Sequence, residues 1–127
     1  MARQNVSTGG PWEAKIGYSR AVRVGQSVQV SGTTAMTATG LVGNGDPYAQ
    51  TIQALKTIEA ALVQAGASMA DVVRTRIYMA NIDQWQEVGR AHGEVFGSIR
   101  PATTMVEVKR LIDPDMLIEI EADAIVS

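Results

Sequence analysis

Cysteine is absent from this chain of 127 residues, and histidine occurs only once. Without a thiol, the chain has no disulfide framework, no thiolate zinc site, no iron–sulfur cluster and no cysteine nucleophile. A single histidine excludes a multi-histidine metal site and disfavours a haem ligand. The sequence therefore predicts a protein without a metal centre.

Charge of one sign and long apolar runs are also absent. The 11 basic and 13 acidic residues leave a net charge of −2, and no basic block forms an electrostatic footprint for nucleic acid. No apolar stretch approaches the roughly 20 residues of a membrane-spanning helix, and the first five residues lack the apolar core of a signal peptide. We expect a soluble cytoplasmic protein that binds neither nucleic acid nor a membrane.

The composition that is present is that of one folded domain. Apolar residues make up 46% of the chain and charged residues 19%, and a chain of this size can bury roughly two-thirds of its unfolded surface. No linker, repeat or low-complexity tract divides it. The sequence predicts a single domain over residues 1–127, in which residues 1–13, with their Ser-Thr-Gly-Gly-Pro run, form an N-terminal arm or loop.

Two helices are predicted from the residues at their ends. Asp46 is a good N-cap and Pro47 fits the first helical position, while Gly66 lies where a left-handed residue commonly closes a helix. We expect Asp83 to cap a second helix, with Gln86 completing a capping box. The apolar stripes of the two helices are Ile52, Leu55, Ile58 and Leu62, and Trp85, Val88, His92, Val95 and Phe96.

Alternation of apolar and polar residues predicts the strands. Residues 18–32 have the pattern of a β-hairpin, residues 73–79 form the clearest single strand, and the segments 103–108 and 117–126 close the chain. Within the central strand, Val73, Thr75, Ile77 and Met79 are expected to share one face.

The predicted order ββ–α–β–α–ββ places both helices on one face of a single sheet, because β–α–β connections are right-handed. The other face then mixes acids, bases and apolar groups, which packing against further copies of the chain would satisfy, so we infer a homo-oligomer. The alternative is an open α/β sandwich whose second sheet face is exposed to solvent. The residues expected on this second face are Arg74, Arg76, Tyr78, Met105, Glu107, Glu119 and Glu121.

Short motifs, in order along the chain, resemble those of the YjgF/RidA family, the reactive-intermediate deaminases. They include residues 17–22 (GYSRAV), 30–32 (VSG), 100–102 (RPA), 106–108 (VEV) and 118–122 (IEIEA). The similarity extends from about residue 17 to residue 126, nearly the whole domain. On these motifs the chain is identified as a member of the family.

Membership implies a chorismate-mutase-like α+β fold, in which a single mixed β-sheet is covered on one face by two helices. It also implies a homotrimer whose three sheets form a barrel, with a small-molecule cleft at each subunit interface. The archetypal members hydrolyse enamine or imine intermediates to a 2-oxo acid and ammonia, and they need no cofactor. In these members an arginine binds the substrate carboxylate and a glutamate positions the attacking water.

Four residues match positions that line the family's cleft. Tyr18 corresponds to the cleft tyrosine, Ser31 to the cleft serine, Gly32 to the residue whose backbone amide faces the ligand, and Glu119 to the water-positioning glutamate. The resemblance therefore implies Glu119 and Tyr18 as catalytic residues and Ser31 and Gly32 as substrate-binding residues. The residues alone leave an alternative open for each predicted catalytic residue. Glu119 could be an interface acid paired with an arginine, and Tyr18 an aromatic residue at the edge of the hairpin.

The chain departs from the family pattern around Thr103. The family's Pro-Ala-Arg-Ser reads Pro-Ala-Thr-Thr here, so Thr103 replaces the carboxylate-binding arginine and Thr104 follows it. Met105 stands where cysteine is common, and Arg20 where glutamine is usual. Loss of a bidentate arginine–carboxylate contact costs on the order of 1.5–3 kcal/mol, and a threonine offers one neutral donor in its place. All four are predicted substrate-binding residues, and the two threonines could equally be ordinary strand formers.

Two further positions differ on the second helix. Gly89 replaces a cleft asparagine of the family, and His92 replaces the tyrosine next to it. His92 titrates in the range that suits acid–base chemistry, but its place on the apolar stripe favours a packed, hydrogen-bonded ring. Arg20 shares the strand face of Tyr18 and could supply the missing cation, the alternative being an interface salt bridge.

Two functions follow from the resemblance. The first is hydrolysis of an enamine, an imine or a related activated carbonyl compound by water that Glu119 positions. The second is a non-catalytic, metabolite-binding or chaperone-like trimer that kept the scaffold, and Thr103 is the feature that separates the two. Endoribonuclease activity is a historical label of the family, against which the lone histidine and the lack of a basic bias argue.

Overall fold

A six-stranded sheet covered on one face by two helices forms the body of the protein, as described for residues 2–127 by a computed structural model. The elements are β1 (Arg3–Val6), α1 (Pro11–Ile16), β2 (Ala21–Val24), β3 (Ser27–Thr33), β4 (Met36–Thr37), β5 (Gly40–Leu41), α2 (Pro47–Gln64), β6 (Val72–Met79), α3 (Trp85–Phe96), β7 (Ala102–Glu107) and β8 (Ile118–Ile125).

The strands of the main sheet lie in the order β1-β2-β3-β8-β6-β7. Each neighbouring pair is antiparallel except β6 and β7, which are parallel and joined through α3. Strands β4 and β5 form a separate small hairpin. The α+β class with one mixed sheet backed by two helices is confirmed, and so are the hairpin and the two closing strands.

The N-terminal segment is more regular than the predicted arm or loop. Strand β1 pairs with β2 from Arg3 opposite Val24 to Val6 opposite Ala21, and Val6 is buried. Helix α1 then runs from Pro11 to Ile16. The Ser-Thr-Gly-Gly run forms only the turn between these two elements. The strand β1 was not predicted because it is held by pairing with the free edge of β2, which the composition of the segment does not reveal.

Helix α2 begins and ends at the predicted residues. The Asp46 side chain accepts a hydrogen bond of 3.0 Å from the N–H of Ala49, Pro47 is the first helical residue, and Gly66 follows the helix with a φ of +80°. Along residues 2–127, α2 included, no helix combines the length and hydropathy needed to cross a membrane.

The start of α3 differs from the predicted capping box. Residues 82–84 form a 3-10 turn, in which the Asn81 side chain accepts the N–H of Asp83, so Asp83 is not the cap. The α-helix begins at Trp85, whose side chain is 52% exposed rather than part of the apolar face. Asn81 replaces Asp83 as the capping residue because its short side chain can hydrogen-bond to the backbone two residues further along the chain.

One apolar core lies between the two long helices and the sheet. Leu55, Ile58 and Leu62 of α2 and Val88 and Phe96 of α3 meet the inward residues of β3, β6 and β8 in a single buried cluster. Both helices therefore cover the same face of the sheet, as predicted.

The predicted face of Val73 is wrong. In the pairing of β6 with β8, Val72 lies opposite Ala124 and Arg74 opposite Asp123, so Val73 is an extra residue in a β-bulge. Val72 is 3% exposed and Val73 is 45% exposed. The bulge shifts the alternation by one residue at the start of the strand, and it leaves the order beyond Arg74 as predicted.

The second face of the sheet carries the expected mixture of charges. Arg76 Nη1 lies 3.1 Å from an Asp123 carboxylate oxygen and 3.7 Å from Glu121, and the Tyr78 hydroxyl donates to Glu121 at 2.6 Å. Glu119 lies on the same face, opposite Tyr78 in the register.

Met105 and Glu107 do not belong to that face. The parallel register places Met105 beside Ile77 and Glu107 beside Met79, both of which point to the helices. Met105 packs against the core and Glu107 accepts the N–H of Ile82. Their predicted position was wrong because pairing with β6, rather than alternation within β7, decides which residues face the helices.

Candidate functional site

The site is built around a bulge in β3. Val30 lies opposite Ala122 and Thr33 opposite Ile120, so Ser31 and Gly32 together occupy the space of one residue on β8. Bulges of this kind redirect side chains and are common beside active sites. Here the bulge brings the backbone of Gly32 against the side chain of Glu119.

Glycine at residue 32 leaves room for the Glu119 carboxyl. A Cβ atom there would lie 2.5 Å from Glu119 Oε2, closer than real Cβ contacts, and 3.0 Å from its Cδ, so the carboxyl would have to shift. The absence of a side chain at Gly32 therefore allows the Glu119 carboxyl to occupy its place on the strand.

Arg20, Tyr18 and Ser31 surround the same bulge. Arg20 Nη2 donates a hydrogen bond of 2.6 Å to the carbonyl of Gly32, and its guanidinium carbon lies 5.7 Å from the centre of the Tyr18 ring. The Ser31 hydroxyl donates to the carbonyl of Ser19 at 2.6 Å. These bonds hold the two segments of the hairpin at fixed spacing on one side of Glu119.

Glu119 has the electrostatic character of a group that can gain and lose a proton. Burial raises the pKa of its carboxyl, the Arg20 guanidinium lowers it in part, and the neighbouring Glu121 raises it again, so that the net direction is upward. The acids that pair with Arg76 are Glu121 and Asp123, so Glu119 is not the partner of that arginine.

Glu13 is a second carboxylate of this site, and the sequence analysis missed it. Its side chain is 8% exposed and accepts hydrogen bonds from the hydroxyls of Ser7 and Thr8, both at 2.7 Å, and from the N–H of Thr8 at 3.3 Å. Burial alone would raise the pKa of Glu13, but these hydrogen bonds and the Arg20 charge outweigh it and lower the pKa. Its only signal in the sequence is an acid a few residues after a Ser-Thr pair.

A cleft of about 1090 Å³ opens beside these groups. The predicted site residues that line it are Tyr18, Arg20, Ser31, Gly32 and Glu119. Its other walls combine apolar side chains with threonine hydroxyls and the carboxyls of Glu13 and Glu121, and several of the apolar side chains are exposed. These exposed apolar residues are Trp12, Ile16, Met36 and Ile112.

The other three predicted residues lie away from this cleft. Strand β7 is at the opposite edge of the sheet from β1, separated from β3 by β8 and β6. Thr103, Thr104 and Met105 are on β7, and none of them lines the cleft of the same chain. Thr103 faces the helix side, whereas Thr104 lies opposite Arg76 on the charged face.

Thr103 is instead part of a short chain of hydrogen bonds with Thr75 and His92. The Thr103 and Thr75 hydroxyl oxygens are 2.8 Å apart, and Thr75 Oγ1 lies 2.9 Å from His92 Nε2. His92 also packs on Phe96, with ring centres 4.7 Å apart, and burial lowers its pKa. Thr75 was not predicted as a site residue, because only the parallel register of β6 and β7 brings it beside Thr103.

Among residues 2–127, no group of three histidine, aspartate or glutamate side chains is arranged to hold a metal ion. The cleft itself presents the carboxyls of Glu13, Glu119 and Glu121, the Arg20 guanidinium and several hydroxyls, those of Tyr18 and Ser31 among them. A carboxyl with a raised pKa beside fixed hydrogen-bonding groups suits proton transfer to and from water.

Comparisons with known proteins agree with this architecture. The family model described as Endoribonuclease L-PSP matches residues 11–126. An uncharacterized protein of Streptomyces coelicolor is 42% identical over 123 residues, which are 97% of this chain and 92% of that protein. The 3-aminoacrylate deaminase RutC of Acinetobacter baylyi is 34% identical over 108 residues, 84% of this chain and 85% of that protein.

A solved structure gives the same result. The crystal structure of a member of the YjgF/YER057c/UK114 family from Mycobacterium tuberculosis has a TM-score of 0.90 and 54% identity, covering 98% of this chain and 100% of the other. The match of the family model over most of the chain and the likeness to these relatives show that the chain belongs to the YjgF/RidA family.

Proposed function

We propose that the protein is a homotrimer that hydrolyses imines, or enamines through their imine tautomers, in clefts at its subunit boundaries. The observation that carries the proposal is the half-buried Glu119 carboxyl, with its raised pKa, facing a cleft beside Tyr18, Arg20 and Ser31. One relative is by name a 3-aminoacrylate deaminase, which supports cleavage of a carbon–nitrogen bond as the reaction class.

The reaction needs one group that accepts and returns a proton. Water adds to the carbon of the protonated imine, the π pair of the C=N bond moves to nitrogen, and the ionised Glu119 accepts the proton that the water loses. Glu119 then returns this proton to the nitrogen of the carbinolamine. The C–N bond breaks, ammonia leaves, and the hydroxyl proton is released as the carbonyl forms, so that no cofactor is consumed.

The position of β7 supports a cleft between chains. Thr103 matches the substrate-binding position of the family's signature, yet within one chain two strands, β8 and β6, separate its strand from β3. A second copy that places its β7 at the mouth of this cleft would unite the two halves. The exposed Trp12 and Ile112 side chains at that mouth, 48% and 67% accessible, would then be covered.

A Glu119→Gln variant tests the proposal. We expect its kcat/KM for imine hydrolysis, followed by ammonia release, to fall by about 100-fold or more, because general acid–base catalysis contributes roughly 10²–10⁴. The wild-type rate should rise with pH through a midpoint above 4.5, since the pKa of Glu119 is raised from that value and the ionised form acts.

The matched control is Glu59→Gln, the same chemical change at an exposed position of α2. Its kcat/KM should equal that of the wild type. Full activity in Glu119→Gln would remove this residue from the mechanism.

The non-catalytic, metabolite-binding trimer is the second candidate, and Thr103 is the observation that favours it. In that case the cleft binds a small molecule without ammonia release, and Glu119→Gln changes the affinity of the ligand rather than any rate. Calorimetric binding without turnover, for imines that the wild type fails to hydrolyse, would select this function.

A further inference from the structure

We infer that the substrate of this cleft carries no carboxylate beside its C=N group and is instead a protonated imine with neutral substituents. The inference rests on the proposed function, because Thr103 reaches a cleft only across a subunit boundary. It goes further than that function by naming the substrate class. The reason is that the hydroxyl hydrogen of Thr103 and the guanidinium of Arg20 are already engaged within the protein.

The hydroxyl hydrogens of Thr103 and Thr75 are both used within the protein. If His92 Nε2 carries a hydrogen, it donates to Thr75, Thr75 donates to Thr103, and Thr103 donates to the carbonyl of Pro101 at 3.2 Å. If Nε2 is bare, Thr75 donates to His92 and Thr103 donates to Thr75. When Nε2 is bare, the Thr103 hydrogen is committed to Thr75 and the exposed oxygen offers a ligand only lone pairs. When Nε2 carries the hydrogen, the Pro101 carbonyl holds the Thr103 hydrogen at 3.2 Å and the oxygen again presents a lone pair.

A surface of lone pairs discriminates against a carboxylate. An ionised carboxylate is an acceptor only, so it finds no partner at Thr103 and faces a partial negative charge there. A protonated imine, with its N–H groups and positive charge, is the complementary ligand. The threonine is therefore an acceptor at this position rather than the weak donor expected from the sequence.

Arg20 does not restore the missing cation. Its guanidinium donates to the Gly32 carbonyl and lies over the Tyr18 ring. It is also close enough to Glu13 and Glu119 to lower the pKa of both carboxyls. Arg20 already faces these two carboxyls, and Glu121 also lines the cleft, so a carboxylate on the substrate would add like charge to this part of the cleft.

Two matched imines test the inference. Ethanimine, made in the assay from ethylamine by an amine oxidase, differs from 2-iminopropanoate, made from alanine by an amino-acid oxidase, by the carboxylate alone. Hydrolysis is measured as protection from trapping by semicarbazide. We expect the acceleration in kcat/KM to be at least tenfold larger for ethanimine.

Substitution of Thr103 should then invert the preference. An arginine fork binds a carboxylate through two charge-assisted hydrogen bonds, so Thr103→Arg should raise kcat/KM for 2-iminopropanoate by roughly ten- to a hundredfold. Thr103→Gln, which has similar reach without the charge, should give no such gain. Both changes are at an exposed side chain, so folding should be retained.

The outcomes separate the two proposals. Equal or faster hydrolysis of 2-iminopropanoate by the wild type, abolished by Glu119→Gln, would overturn the substrate class and leave the imine hydrolase standing. Acceleration of neither imine would overturn both. A preference for ethanimine that Thr103→Arg reverses and Thr103→Gln does not would establish Thr103 as the residue that selects the substrate.

Discussion

Gly32 is the residue on which the position of the Glu119 carboxyl depends. In Gly32→Ala the new Cβ would displace Glu119 Oε2 from a distance of 2.5 Å. Because the displaced atom is the end of a flexible side chain, we expect stability to fall by less than about 3 kcal/mol. Imine hydrolysis should fall further, by about 100-fold, since a misplacement of about 1 Å has that effect on catalysis.

The control for this prediction is Gly93→Ala, where no atom beyond the neighbouring backbone of α3 lies within 4 Å of the added Cβ. It should leave the rate unchanged and stabilise α3 by about 0.5–1 kcal/mol in denaturant unfolding. An unchanged rate in Gly32→Ala would show that the position of the Glu119 carboxyl does not limit the reaction.

The sequence reveals single residues unevenly. Tyr18, Ser31 and Glu119 were predicted because their motifs resemble a family, and the structure brings all three to one cleft. Glu13 was missed because its partners lie in an irregular turn, where no periodicity signals that an acid is buried. Thr75 was missed because its role depends on a neighbouring strand that is far away in sequence.

At the scale of elements, Gln50 joins α2 to the loop before it and to the loop that leads into β8. Its buried amide donates to the carbonyls of Gly43 and Asp115 at 3.1 and 3.0 Å, and its oxygen accepts the N–H of Leu117 at 2.8 Å. Gln50→Leu removes all three bonds while keeping the volume similar, so we expect a loss of about 2–4 kcal/mol in urea unfolding.

Gln64→Leu, at an exposed position on the last turn of α2, is the control and should change stability by less than about 0.5 kcal/mol. If the two variants unfold at the same urea concentration, the amide of Gln50 does not hold these elements together.

The ends of elements were predictable where a local side chain decides them. Asp46 caps α2 through a bond within its own turn, so the sequence contains the whole cause. The predicted start of α3 was wrong because both Asn81 and Asp83 have side chains that can close the turn, and Asn81 does so. The bulge at Val73 leaves no trace in the apolar pattern, since valine fits both faces of a strand.

At the scale of the whole molecule, the faces of the sheet were predictable except at its edge. In β8 the acids alternate with buried residues, as the sequence indicates. In β7 the same alternation was assigned to the opposite side, because only pairing with β6 determines which residues face the helices. This matters for function, since it turns Thr103 toward Thr75 and His92 rather than toward the charged face.

The last prediction concerns the oligomeric state. Sedimentation equilibrium at micromolar concentration should give three times the chain mass of 13.5 kDa, because the charged second face and the exposed apolar residues at the cleft mouth need a partner. Arg74→Glu adds an acid opposite Asp123 on that face, so it should lower the mass toward the monomer and abolish imine hydrolysis with it. Lys56→Glu, an equal charge change on the exposed side of α2, should leave both unchanged. A wild-type monomer of 13.5 kDa, or an active monomeric Arg74→Glu, would mean that one chain holds the complete site.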